Sequence, residues 1–217
     1  MSSDETRNQI LDSAEALFAE RGFEGASLRQ IMTQAGANLA AGHYHFGGKD
    51  KLLMAVLERR IGPINEERLR MLEELEEKYA KRKRIPVEPV LEALLAPALR
   101  MVRSEQGAGN FVVLLGRILS DPNKELLQQF HSQFDEICMR FMPVFRNSLP
   151  NLTDDEAMWR LFFVIGTMAH TMMSVDKISF VSQGQCSMDD MEDVIAKMVR
   201  FCAAGLKAPV PVKGETV

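Results

Sequence analysis

The stretch from Ser27 to Phe46 constrains this chain more than any other. It reads as two short helices hinged at Gly36. Ser27 can cap the first, and Gln30 stands three residues on, the spacing of a capping box. Leu28, Ile31 and Ala35 fall at i, i+3 and i+7, one apolar face. Gly36 occupies the place where a helix stops and the chain turns left-handed, and Asn38 is a good cap for the next helix. An amphipathic helix precedes the pair, with Ile10, Ala14, Leu17 and Phe18 on one face and Gly22 as its stop. A further helix opens near Lys49 with Leu52, Leu53, Val56 and Leu57 on one side. This is the grammar of a helix-turn-helix, a motif that lays its second helix in the DNA major groove.

The same residues carry a family resemblance. Thr6-Arg7, Ile10 to Ala14, Leu17 to Phe23, Ser27 to Ile31, Ala35-Gly36 and Tyr44 to Leu53 resemble the N-terminal domain of the TetR family of repressors. Within that family, Asn38 to Ala41 followed by Tyr44-His45-Phe46-Gly47 resembles the fatty-acid-sensing branch typified by PsrA. The ending Phe201 to Leu206 is similar to that branch, as is Trp159-Arg160 leading into an apolar helix with Gly166. The resemblance implies a repressor in which Ser27 and Arg29 meet backbone phosphate. Asn38, Leu39, Ala40, Ala41, His43 and Tyr44 would face the groove, with His45 and Lys49 toward phosphate. Leu39 and Ala41 can offer only apolar contact, for example to thymine methyls.

Two positions depart from the family pattern. Gly42 stands where relatives carry Val or Leu, and His43 where they carry Asn or Tyr. Glycine inside a short helix costs about 1 kcal/mol relative to alanine. It also removes a side chain that would pin the recognition helix, so a looser helix, or one ordered only on DNA, is expected. His43 alters a groove-facing group, so an operator sequence does not carry over from relatives.

The whole chain of 217 residues carries a formal charge of -4, which argues against non-specific coating of nucleic acid. Even residues 1–55 are not basic, so the cations there must be segregated to one face. Cys138, Cys186 and Cys202 have no metal-ligand spacing and are expected to be buried reduced thiols of a cytoplasmic protein. No secretory signal is visible at the N-terminus. The longest apolar stretch, Leu161 to Val175, is shorter than the ~20 residues of a membrane helix, so no membrane partner is expected. His43 and His45 are two apart and cannot form the usual i, i+4 metal pair. No nucleophile elbow, phosphate loop or paired-carboxylate signature is present, so neither enzyme activity, metal nor cofactor is expected.

Past residue 48 the pattern is helical throughout, with no strand alternation. The expected class is all-α: a three-helix DNA-binding domain over residues 1–48, a helical ligand-binding and dimerisation domain over 49–207, and a tail at 208–217 without fixed structure. The helix from Lys49 should run through Pro63 into a charged segment ending in Lys81 to Arg84. Further helices are expected over 109–120, 122–148 (capped by Asp121), 154–182 and 188–206, nine or ten in all.

The middle helices suggest an apolar pocket. Phe111, Leu115, Phe130, Phe134 and Met168 would line it, and Arg117 and His170, with His131 and Arg140, are candidates to meet a polar head group. Methionine, 14 in the chain, adapts to varied apolar guests, although Phe and Met stripes are also ordinary core. Gly166 and Ala169 offer a flat face for close helix approach, and Met191, Ile195 and Met198 an apolar stripe on the last helix. The resemblance implies a homodimer built from these two helices. It would bind double-stranded, palindromic operator DNA, with recognition helices roughly 34 Å apart or a multiple of it. A small apolar effector, such as a long-chain fatty acid or acyl-CoA, would release it. A drug-like effector, or an acyl-binding protein that has lost DNA recognition, are the alternatives.

Overall fold

The computed structural model describes residues 3–103, 109–174 and 177–210. The described residues form eleven helices and no strand. By compactness they divide into two units, Met1–Asn65 with Ser104–Asp135, and Glu66–Arg103 with Glu136–Val217. This division does not run at residue 48: the unit that holds the helix-turn-helix also takes in the start of the fourth helix and two helices from the middle of the chain.

In the first unit, α1 (Ser3–Gly25) buries Ile10, Leu11, Ala14, Leu17 and Phe18. Gly22, at φ 74° and ψ 173°, interrupts it three residues before its end. Then come α2 (Leu28–Gln34), α3 (Leu39–Phe46) and the first part of α4 (Lys49–Lys78). α6 (Gly109–Leu119) packs along α1, and α7 (Lys124–Ser132) against α6. A buried ion-pair cluster ties α1 to α4. Glu15, only 3% exposed, accepts from Arg60 Nε at 2.9 Å, Arg60 Nη2 at 2.8 Å and Arg59 Nη2 at 3.0 Å. Arg59 also reaches Asp12 at 2.6 Å. The hydrogen bond to Glu15 holds the Arg60 guanidinium above its ordinary pKa.

In the second unit, α5 (Val87–Val102) is buried from Val90 to Leu99 apart from Glu92, as a central helix must be. α9 (Asp154–Met173) and α11 (Met191–Lys207) pack on it. Arg68, from the later part of α4, is buried among them. Its Nε donates to the Leu94 carbonyl at 2.8 Å, and burial pulls its pKa down to about 10. Arg160 closes the far end of α11, its Nη1 donating to the carbonyls of Gly205 (3.1 Å), Leu206 (3.1 Å) and Ala208 (2.6 Å).

Several expected boundaries shift. α4 does run through Pro63 but ends at Lys78, leaving Lys81 to Arg84 beyond it. The helix expected over 122–148 is two, α7 and α8 (Asp135–Ser148). The Gln133 carbonyl at the break accepts from Asn65 Nδ2 of α4 at 2.8 Å. Asn123 rather than Asp121 caps α7, taking the N–H groups of Glu125 and Leu126. Asp121 instead accepts from the Asn123 N–H. The segment 154–182 likewise holds two helices, α9 and α10 (Lys177–Val181), while residues 175–176 lie outside the described residues. So does most of the tail, 211–217. Of the cysteines only Cys202 is buried. Cys138 and Cys186 are exposed, because each lies on the outward side of its segment. Among the described residues no helix is long and apolar enough to cross a membrane.

Candidate DNA interface

α2 and α3 are fixed by local chemistry at all four ends. The Ser27 N–H and hydroxyl both donate to Gln30 Oε1, at 3.0 and 2.8 Å, and the Gln30 N–H returns a bond to Ser27 Oγ at 3.2 Å. Gly36 takes the left-handed turn at φ 64°. Asn38 Oδ1 accepts the Ala41 N–H at 2.7 Å, and Gly47, at φ 74°, ends α3 with its N–H on the His43 carbonyl. Such caps are each worth on the order of 1 kcal/mol, and together they define a helix too short to stand alone.

The inner side of α3 is Gly42 and Phe46, both buried. Its outer side is Leu39, Ala40, His43 and Tyr44, all exposed, with Tyr44 the most open at 84%. Ala41 and His45 lie half-buried at the edges. The His45 ring stands edge-on to Tyr44 at 5.2 Å between centroids. Ser27, Arg29 and Asn38 are exposed. The structure therefore brings seven of the ten expected contacts onto the exposed surface of α2 and α3, with Ala41 and His45 at its rim. Ser27 and Arg29 also line a shallow groove of about 450 Å³ with Leu17, Arg21, Gln30, Thr33 and Gln34. Of these, Gln30 and Leu17 are marked in the sequence by the capping box and the apolar face, whereas Thr33 and Gln34 have no sequence signal of their own. Arg7 of α1 and Arg21 are among the cations expected to be segregated to one face; the Arg7 guanidinium lies 5.6 Å from the Phe46 ring centroid, at the end of α3.

Gly42 does not leave a void. A Cβ there would lie 2.7 Å from Met32 Sδ and 3.2 Å from its Cε. Met32 of α2 fills the space a larger residue would take, so α3 is packed rather than loosened at this point. Lys49 also has a different post from the expected phosphate contact. Its ammonium donates to the Phe23 carbonyl at 3.0 Å and sits 4.3 Å from the Phe23 ring centroid. The end of α1 presents a carbonyl there that needs a donor.

The residues expected to line a pocket divide between the units. Phe111, Leu115 and Phe130 are buried in the first, with Phe134 half-buried and 5.3 Å from Phe130 between ring centroids. Met168, buried, and His170, exposed, belong to the second. Arg117 faces no apolar cluster: it donates to the carbonyls of Ala19 and Glu20 at the interrupted end of α1. Arg140 pairs with Glu73 and Glu76, and His131 is exposed.

The face expected for self-association also changes. Met191, Ile195 and Met198 are buried, because their side of α11 packs inward with α5 and α9 as neighbours. Gly166 is exposed with open space at its Cα and Ala169 is half-buried. The open apolar strip is instead Trp159, Phe162, Phe163 and Gly166, at i, i+3, i+4 and i+7 along α9, with Phe162 at 67% and Phe163 at 61% exposure. Phe201 of α11 is exposed as well.

Residues 10–56 match the family of bacterial regulatory proteins named for tetR, and residues 92–205 match the Tetracyclin repressor-like, C-terminal domain. This chain belongs to the TetR family. Among its relatives, the HTH-type transcriptional repressor NicS of Pseudomonas putida is 39% identical over 64 residues, 30% of each chain. The HTH-type transcriptional regulator SrpR of the same species is 40% identical over 62 residues, 29% of each. These alignments span less than a third of the relatives' length. The solved structure of the fatty acid degradation regulator FadR from Bacillus halodurans shares the fold. It has a TM-score of 0.62 and 15% identity, and the match covers 94% of this chain and 97% of that one. The likeness in fold to that regulator thus extends over nearly all of the chain, whereas the alignments to NicS and SrpR cover less than a third of it.

Proposed function

We propose that this TetR-family chain is a cytoplasmic, ligand-responsive transcriptional repressor that binds a palindromic double-stranded operator as a homodimer. The observation that carries the reading is α3. It is capped at both ends, packed on Met32 at Gly42 with its own Phe46 buried, and presents Leu39, Ala40, His43 and Tyr44 outward with Ser27 and Arg29 beside them. A short helix held this firmly, with small and aromatic groups on its open side, suits base-edge contact in a major groove. Arg7, Arg21 and Arg29 supply the cations for phosphate in place of Lys49.

The strip of Trp159, Phe162, Phe163 and Gly166 supports the dimer. An exposed apolar strip of this kind marks an interaction site, and a two-fold pairing through it would match two half-sites of a palindrome. For the effector we infer an apolar molecule of the fatty-acid or acyl-CoA class, as in the PsrA-like branch. The likeness in fold to a protein described as a fatty acid degradation regulator is compatible with it. Effector and operator would then bind antagonistically, each lowering the other's affinity by the same factor.

The test is an anisotropy titration with DNA from this gene's own upstream region, repeated with oleoyl-CoA, oleate and a cationic dye. Tight binding, steeply weakened by salt and released by the acyl compounds alone, is the expected result. Release by the dye alone would replace the effector class, and acyl binding with no effect on any DNA would replace the repressor with a carrier.

A further inference from the structure

Arg117 stands on α6, 98 residues along the chain from the first carbonyl it reaches. Its Nε donates to Ala19 O at 2.7 Å and its Nη2 to Glu20 O at 2.8 Å. These are the carbonyls just before Gly22, whose positive φ interrupts α1. A Cβ on Gly22 would lie 3.8 Å from Arg117 Nη1, so the guanidinium lies along the break itself. One residue beyond Gly22, the Phe23 carbonyl takes the Lys49 ammonium. A cation at a helix C-terminus is favoured by the helix dipole, and its bonds to carbonyls are charge-assisted. The held segment runs directly into Ser27, the cap of α2. Arg21 and Ser27, on either side of it, both line the groove that contains Arg29.

We propose that Arg117 is a positioning residue for operator binding, through which α6 fixes the end of α1 and with it the placement of α2 and α3. The proposal rests on the operator-binding reading and adds a residue, remote from the DNA face, on which the placement of that face depends. Hydrogen bonds fail beyond about 3.5 Å, so withdrawal of α6 by about 1 Å releases both carbonyls together. Arg117 itself makes no phosphate contact in this scheme.

Wild type, Arg117→Met and Arg117→Lys are titrated by anisotropy against a double-stranded fragment from the upstream region, over a series of salt concentrations. Amide exchange of the free proteins is followed in parallel. Arg117→Met is expected to bind about tenfold more weakly with an unchanged salt slope, and to exchange faster over residues 20–34 but not over 52–57. Arg117→Lys, able to reach one carbonyl, recovers part of both. Wild-type affinity in a folded Arg117→Met overturns the proposal. So does a salt slope reduced by about one, which marks a phosphate contact instead. Wild type that binds no DNA would remove the operator-binding reading. Exchange over 20–34 then still decides whether Arg117 holds this segment, and unchanged exchange in Arg117→Met overturns it.

Discussion

Met32 and Gly42 should behave as one unit of volume. Met32 is 2% exposed, and its sulfur stands where a side chain at position 42 would begin. Met32→Ala removes that filling and leaves a cavity against a backbone with no Cβ, at a cost of roughly 2–5 kcal/mol. Gly42→Val alone places its Cβ 2.7 Å from Sδ. Overpacking of this kind costs about 1–3 kcal/mol, offset by a few tenths from helix propensity. In the double variant the valine methyls enter the space vacated by the methionine, so the two losses should not add. A coupling of about 1–3 kcal/mol in the rescuing direction is expected. Urea denaturation of the four proteins closes the cycle, and amide exchange in α3 locates it. Losses that add to within about 0.5 kcal/mol would refute the idea that Met32 compensates for Gly42.

Three further outcomes follow from the same coordinates. Glu15→Ala takes three hydrogen bonds from two partly buried guanidinium groups and should cost up to about 3–5 kcal/mol, read as a lowered urea midpoint. A loss below about 1 kcal/mol would mean that Asp12, already bonded to Arg59, and water suffice for both guanidinium groups. In the second unit, Arg100 holds Glu192 and Lys207 holds Glu88 below the usual carboxylate range. The folded carboxylates bind protons less readily than the unfolded ones. Their stabilisation is therefore full above about pH 4.3 and lost as pH falls from there through the folded values. Arg100→Gln should lower the urea midpoint slightly at pH 6, these pairs being exposed, and not at pH 3; an equal loss at both would reject this origin. Phe162→Glu should convert a sedimenting dimer to monomer with the helix content intact, and an unchanged dimer would move the interface off α9.

The helix-turn-helix was legible because its boundaries are local. Ser27 with Gln30, Gly36, Asn38 and Gly47 act within four residues of themselves, and each does in the fold what its type implies. The break between α7 and α8 was not. Phe130, Phe134, Ile137 and Phe141 keep helical spacing across it, and no glycine or proline marks it; Asn65, 68 residues away, engages the carbonyl at that point. Periodicity found the stripe of Met191, Ile195 and Met198 but could not say whether it faces the chain's own α5 or another molecule. Arg117 and Lys49 looked free for ligand or phosphate because a sequence shows no carbonyl in need of a donor. The interruption at Gly22 creates that need, and both cations answer it. Gly42 misled in the opposite sense: its missing side chain was visible, while the methionine that replaces its volume lies ten residues earlier on another helix.

The aromatic strip on α9 carries a built-in optical reporter. Trp159 is the chain's one tryptophan, 56% exposed and 5.9 Å from Phe163 between ring centroids. The two tyrosines lie elsewhere, on α3 and just past α4. Indole emission from the unlabelled protein therefore comes from this face alone. Drying of the strip by a second molecule would shift that emission to the blue as concentration rises. A change confined to the recognition helices would leave it unmoved, so one cuvette can separate assembly from DNA engagement.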